Sequence, residues 1–225
     1  MERRYGNVYM KRFIYFNVYV IRGEDGDILI DTGFKFMRRR LRKWLDKFNI
    51  KLVILTHAHV DHTWNANYLK QIYNCKIALS KDDIKYIDNS KIDTKPLNNK
   101  LGWWAKIMNY GMKKFKSEPF EVDVELNKNQ DLDYCGLPLK IVSLRGHTDG
   151  SIGVLYNDYL FAGDALVYRG KYATAAYQNQ DNENALKSVE KIIKMNPKLI
   201  FVGHDKMFTV DKIRRVIIQY NIINI

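Results

Sequence analysis

Apolar residues in this chain fall into short runs broken by turn residues, with stretches of helical spacing between them. The run Phe13-Ile14-Tyr15-Phe16-Asn17-Val18-Tyr19-Val20-Ile21 is aromatic and β-branched. Glu24-Asp25-Gly26-Asp27 then turns the chain into Ile28-Leu29-Ile30, which predicts a hairpin. Residues 36–48 place Met37, Leu41, Trp44, Leu45 and Phe48 on one helical face, and a second helix is predicted over 63–73. Leu52-Val53-Ile54-Leu55 and residues 75–79 read as further strands. Strands alternating with helices predict a layered α/β domain, with its chemistry on loops at one edge of the sheets.

Past residue 120 the pattern becomes strand-rich, with short apolar runs at 120–126, 139–144, 152–156 and 159–162. Asp181 or Asn182 can cap a helix running to residue 193 and ended by Asn196-Pro197. Leu199-Ile200-Phe201-Val202 then forms a strand, and a last helix is expected over 211–220. Asp31 and Asp164 each end a hairpin strand, a faint echo of two related halves. The stretch 81–118 breaks this rhythm. Leu101, Trp104, Ala105, Met108, Met112 and Phe115 form one helical face, and Trp103, Ile107 and Tyr110 form another on the opposite side. Two apolar faces imply two partners: the domain on one side, and on the other a substrate lid, a homodimer contact through 101–116, or a membrane surface.

With 225 residues and 46% hydrophobic composition the chain can bury a full core, which predicts one domain over 1–225 with no linker. The basic, then apolar, beginning passes for a signal peptide, but Asn17 breaks it, Arg22 closes it and no small-residue cleavage site follows. No window is long enough for a transmembrane segment. The two cysteines, Cys75 and Cys135, match no metal-ligand spacing and read as reduced, packed thiols, which points to the cytoplasm. A net charge of +12 admits nucleic acid as a partner. The cations are dispersed, however, as at Arg38-Arg39-Arg40, Arg42, Lys43 and Lys47 on the outer side of one helix, and a solvated face is the favoured reading.

The chemistry gathers where Leu52-Val53-Ile54-Leu55 ends. His57, His59, Asp61 and His62 follow within Thr56-His57-Ala58-His59-Val60-Asp61-His62, and imidazole with carboxylate suits a borderline cation such as zinc. The chain has five histidines. The other two are His147, in Gly146-His147-Thr148-Asp149-Gly150-Ser151, and His204, in Gly203-His204-Asp205, and none of the five sits on the apolar face of a helix.

This ordered set, His-x-His-x-Asp-His, then His147-Thr148 before Gly150-Ser151, then Phe161-Ala162-Gly163-Asp164, then Gly203-His204, resembles the metallo-β-lactamase superfamily. The likeness runs from about Asn17 to His204, and Asp31-Thr32-Gly33 looks like the family's first motif. Trp64-Asn65 stands where the family often has glycine, and Asp149 where it often has proline. The resemblance implies an αββα sandwich of two mixed sheets flanked by helices, with 81–118 as a helical cap that shapes the pocket. It also implies that His57, His59 and His147 hold one metal, that Asp61, His62 and His204 hold a second, and that Asp164 bridges them. Two divalent ions, zinc foremost with iron or manganese as alternatives, would repel one another without that shared carboxylate and a shared hydroxide.

The activity implied is hydrolysis of a small-molecule ester, lactone, thioester or amide by a hydroxide held between the two metals, since binding lowers the pKa of water to about 7. Asp61 and Asp164 would be catalytic as well as ligating. Asp31 would accept a hydrogen bond from a ligand histidine and fix its tautomer. Tyr168, just past Asp164, would donate to a substrate oxygen. The alternatives are a phosphodiesterase or nuclease acting on RNA or a nucleotide, and an iron-dependent redox enzyme on the same ligands. A glutathione-thioester hydrolase is the less expected reading, because only residues 205–225 follow the last ligand and that family usually adds a helical domain there.

Overall fold

A computed structural model of the chain describes residues 1–14, 16–87, 92–97, 118–168 and 170–213. The expected helix over 101–116, with Trp103, and most of the last expected helix over 211–220 lie outside the described residues. The strands of the first half are β1 (Glu2–Tyr5), β2 (Val8–Arg12), β3 (Asn17–Arg22), β4 (Asp27–Ile30), β5 (Ile50–Ile54), β6 (Lys76–Ser80) and β7 (Lys95–Pro96). Those of the second are β8 (Val124–Leu126), β9 (Gln130–Tyr134), β10 (Leu137–Ser143), β11 (Ile152–Tyr156), β12 (Tyr159–Gly163), β13 (Leu166–Tyr168), β14 (Ala173–Ala175), β15 (Gln178–Asn179) and β16 (Leu199–Val202). Four helices are described: α1 (Arg38–Leu45), α2 (Val60–Thr63), α3 (Ala66–Tyr73) and α4 (Asn182–Met195).

Two mixed sheets result, a seven-stranded one in the order β1-β2-β3-β4-β5-β6-β8 and a five-stranded one in the order β16-β12-β11-β10-β9. Side chains alternate across a strand, so a continuous apolar run must be covered on both faces. In β4 and β5, Ile28, Ile30, Leu52 and Ile54 face the second sheet, where they meet Leu139, Ile141, Val154, Phe161 and Phe201. Leu29, Val53 and Leu55 face the other way, against Leu41, Trp44 and Leu45 of α1 and Ala66 and Leu69 of α3. Val142, Leu160 and Ile200 of the second sheet turn outward onto Ala185, Val189 and Ile192 of α4. The order helix, sheet, sheet, helix is the expected αββα sandwich, and each fully buried aliphatic side chain in it contributes about 1.5–3 kcal/mol.

The two halves share more than a sequence echo. β4 pairs antiparallel with β3 and parallel with β5, while β12 pairs antiparallel with β11 and parallel with β16. Asp31 and Asp164 leave equivalent strands of the two sheets.

Several element bounds differ from the sequence reading. The basic first twelve residues form a hairpin, β1 with β2, because Val8 and Met10 alternate into the core between the charges. Asn17 begins β3 instead of interrupting a longer strand. The helix expected over 63–73 is two helices, broken at Trp64 and Asn65. The strand expected over 120–126 is only Val124–Leu126, and β9, a half-buried edge strand of alternating polar residues, carries no apolar run to announce it. Asp181 caps α4 as expected, its side chain accepting from the Asn184 amide at 3.0 Å, and Asn196 ends that helix in the left-handed conformation.

Candidate metal centre

All the ligand-capable side chains leave the carboxyl ends of strands on one edge of the sandwich. Asp31 follows β4, the His57–His62 loop follows β5, His147 follows β10, Asp164 follows β12 and His204 follows β16. Side chains remote in sequence therefore meet, and they meet in two groups. In each group, His57 with His59 and His147, and Asp61 with His62, Asp164 and His204, the ligand atoms lie within 4.8 Å of one another.

Hydrogen bonding around the first group decides which nitrogens are free. Thr56 Oγ1 donates to Asp31, which can only accept, so it must accept from Nδ1 of His57 at 3.1 Å. Nδ1 of His147 donates to the Gln178 carbonyl at 2.7 Å. Nε2 of His57 and Nε2 of His147 therefore carry lone pairs, and both face Nδ1 of His59, at 3.0 and 2.8 Å. Burial drives the His57 pKa far down, the His59 pKa to about 3 and the His147 pKa below its usual value. Two lone pairs thus face the Nδ1 of a neutral His59 in a buried space, and with the His59 proton on Nε2 three ring nitrogens present lone pairs to one point, a donor set that fits a metal.

The second group is complementary. Nδ1 of His62 donates to Asp31 Oδ2 at 2.8 Å, which turns Nε2 toward Asp61 and Asp164. Nε2 of His204 lies 3.1 Å from Asp61 Oδ2 and 3.0 Å from Asp164 Oδ2. Asp164 also reaches back to Nε2 of His147, at 3.7 Å, and so stands between the two groups. Burial works against the charge of both acids, yet attraction to His62 and His204, which take up a second proton beside them when no metal is bound, holds each carboxyl below its usual range. Nε2 of His62 and Oδ1 of Asp164 are buried, 3.5 Å apart, and hydrogen-bonded to nothing else among the described residues. Buried polar atoms are seldom left so, and a metal taking the place of the His62 Nε2 proton would satisfy both.

A surrounding shell fixes these groups, and most of it was invisible in the sequence. Asn17, read only as a break in an apolar run, donates to the Val202 and Asp205 carbonyls at 2.8 and 2.6 Å, and the Tyr19 hydroxyl donates to Val202 at 2.6 Å, clamping the His204 loop. Asn65, one of the two departures beside the first cluster, is fully buried and donates to the carbonyls of Thr32, Gly33 and Phe34. Asp149, the other departure, lies toward the surface, where Lys85 and Tyr86 donate to it. Asp83 is completely buried behind the histidine loops, where burial pushes its carboxyl up while donors from Thr148, Ala58 and Gly150 pull it back. Asp83 and Gln178 act through tertiary contacts that no local spacing announces.

Tyr168, on β13, is engaged locally. Its hydroxyl donates to the Gly170 carbonyl at 2.7 Å and its ring stacks on Phe208. Cys75 and Cys135 are both free thiols. Among the described residues no helix is long and apolar enough to cross a membrane.

An αββα sandwich with His and Asp groups at one sheet edge defines a class of metal-binding protein. The profile of the metallo-beta-lactamase superfamily matches residues 15–204, and the chain belongs to that family. It is 31% identical over 158 residues to a probable metallo-hydrolase, MJ0888, of Methanocaldococcus jannaschii, covering 68% of each chain. It is 26% identical over 197 residues to the hydroxyacylglutathione hydrolase GloC of Haemophilus influenzae, covering 85% of this chain and 86% of that protein. The crystal structure of the metallo-beta-lactamase family protein TTHA1429 from Thermus thermophilus superposes with a TM-score of 0.72 at 17% identity, covering 96% of this chain and 79% of that one.

Proposed function

We propose that this chain is a metal-dependent hydrolase of a small acyl substrate, an ester, lactone, thioester or amide, with thioesters foremost. The observation that carries the reading is the meeting of the ring nitrogens of His57, His59 and His147, with Asp164 standing between them and His204. The first three would hold one divalent cation and Asp61, His62 and His204 a second, with Asp164 shared. When bound, such cations supply a Lewis acid and water ionised near neutral pH.

The chain's own residues do the rest. His57, His59 and His147 stay neutral across the physiological range, so each has a lone pair to offer. Asp61 and Asp164 stay ionised and offset the charge of the cations. Asp31 and the Gln178 carbonyl hold His62 and His147 in the tautomers that point Nε2 at the site. The similarity to a hydroxyacylglutathione hydrolase supports ranking thioesters first among the acyl substrates. The net charge of +12 keeps phosphodiesters, RNA included, as a second reading.

The test is elemental analysis of protein purified without added metal, joined to a screen of thioester, lactone, ester and phosphodiester substrates. About two equivalents of zinc, with acyl hydrolysis lost on chelation and restored by zinc, is the result expected. Iron as the retained metal, with activity on none of these esters, would move the protein to a redox class. Salt-sensitive RNA cleavage without acyl hydrolysis would make it a nuclease.

A further inference from the structure

Asp83 sits in a 3-10 turn, Lys81–Tyr86, that follows β6, and it belongs to neither ligand group. It is 0% exposed. Its Oδ2 accepts from the Ala58 amide at 2.8 Å and from the Thr148 hydroxyl at 2.8 Å, and its Oδ1 accepts from the Gly150 amide at 2.7 Å. Ala58 is the residue between His57 and His59, and Thr148 is the residue after His147. One carboxylate thus ties together the two loops that supply the first histidine group, across sequence separations of 25 and 65 residues.

The bonding around it has a single direction. Ser151 Oγ accepts from the Thr148 amide at 2.9 Å and lies 2.7 Å from Thr148 Oγ1. With Thr148 donating to Asp83, Ser151 donates to Thr148, and every proton in the chain runs toward the carboxylate. An amide cannot replace it. In one orientation an asparagine NH2 faces the Gly150 N–H, and in the other it faces the Ala58 N–H. The fit is also close. A Cβ on Gly150 would stand 2.6 Å from both the Cγ and the backbone nitrogen of Asp83, so no larger residue can occupy position 150 without displacing the tie. The Ile152 amide donates to Thr56 O at 2.9 Å and joins the same two loops one residue before His57, whereas the Asp83 tie lies between His57 and His59 themselves.

From this geometry we infer that Asp83 is a positioning residue that sets the spacing of His57 and His59 against His147 and thereby the metal affinity of that group, on the reading proposed above. It touches none of the three rings and acts through the backbone on either side of them. Supporting groups of this kind are worth about 10- to 100-fold in metal affinity. The effect should fall mainly on the three-histidine site, because the hydrogen bonds of Asp83 go to Ala58, Thr148 and Gly150 and none goes to Asp61, His62, Asp164 or His204.

Stepwise zinc titration of metal-stripped protein against a chromophoric chelator tests it, with the melting temperature of the stripped protein measured alongside. In Asp83→Asn one zinc should bind about 10- to 100-fold more weakly and the other as in the wild type. Thr148→Val removes one donor and keeps both backbone tethers. It should weaken the same zinc by several-fold, and it carries the test if Asp83→Asn does not fold. Two zincs bound by the variants with wild-type affinity, or both weakened in proportion to a lower melting temperature, would reduce Asp83 to a packing role. If the wild-type protein itself takes up no zinc, the hydrolase reading falls and the positioning role falls with it. Wild-type uptake of two zincs with unchanged variants sinks only the role of Asp83.

Discussion

His62 and Asp31 share a hydrogen bond of 2.8 Å between Nδ1 and Oδ2, with both side chains buried. Asp31 also accepts from the Thr56 amide at 2.9 Å and takes a left-handed backbone conformation with φ of 60°, which aspartate tolerates better than most residues. Asp31→Asn would oppose an N–H either to the Thr56 amide or to the His62 Nδ1 proton, so His62 would flip or tilt. We expect zinc at the Asp61, His62 and His204 group to bind about 10- to 100-fold more weakly, with the three-histidine group little changed. Competition titration against a chelator checks this, and equal loss at both groups would show that Asp31 supports the loop as a whole.

How much of this arrangement was legible beforehand follows from its physics. The seven clustered side chains could be read because each follows an apolar run that ends in a turn, and His57, His59, Asp61 and His62 lie within one loop. The sandwich was legible for the same reason, since runs such as Ile28-Leu29-Ile30 need cover on both faces. Asp83, Asn17 and Asn65 were not, because a buried polar residue looks like any turn residue until the carbonyls and amides it serves are in place. Nor was the first hairpin, where only Val8 and Met10 betray a strand amid basic residues.

Asn65 shows what such a hidden residue is worth. Its side-chain nitrogen lies 2.8, 3.0 and 3.1 Å from three successive carbonyls, and its oxygen accepts from Arg38 Nε at 3.0 Å. The Phe34 carbonyl keeps the Met37 amide at 3.1 Å, but Asn65→Ala takes the side-chain donor from the buried Thr32 and Gly33 carbonyls, at a cost of about 2–3 kcal/mol. The expected fall in melting temperature is roughly 5–10 °C. A scan of the metal-stripped protein reads it, and a change under 2 °C, well below that range, would mean that the loop re-forms its bonds with water.

Gly203 separates folding from metal binding. A Cβ there would stand 2.2 Å from Asp164 Oδ1 and 2.7 Å from His62 Cε1, while its φ lies outside the left-handed region, so alanine meets the site without straining the backbone. Gly203→Ala should keep its secondary structure by circular dichroism and lose most of its bound metal and its activity. Full metal content in that variant would show that Asp164 and His62 have room to retreat.

Asp123 gives a pH dependence away from the metal groups. Its carboxylate accepts from the Ile77 amide at 2.8 Å and from Lys70 at 2.7 Å, and its own amide donates to Ile77 O at 2.8 Å, which pins β8 to β6. Partial burial opposes ionisation, but the hydrogen bonds from Lys70 and Ile77 and the charges of Lys70 and Lys76 outweigh it, and the folded carboxyl ionises below its ordinary value of 3.8. The unfolded chain therefore takes up the proton first as pH falls. The stabilisation is complete well above pH 3.8 and is lost as pH drops through the lower, folded value. Asp123→Ala should cost about 1–3 kcal/mol in urea unfolding at pH 7. Asp123→Asn keeps an acceptor for Ile77 and loses only the charge, so it should cost less at pH 7, and its difference from the wild type should shrink at pH 3. A difference between Asp123→Asn and the wild type that is the same at both pH values would mean that Lys70 does not act on this carboxylate.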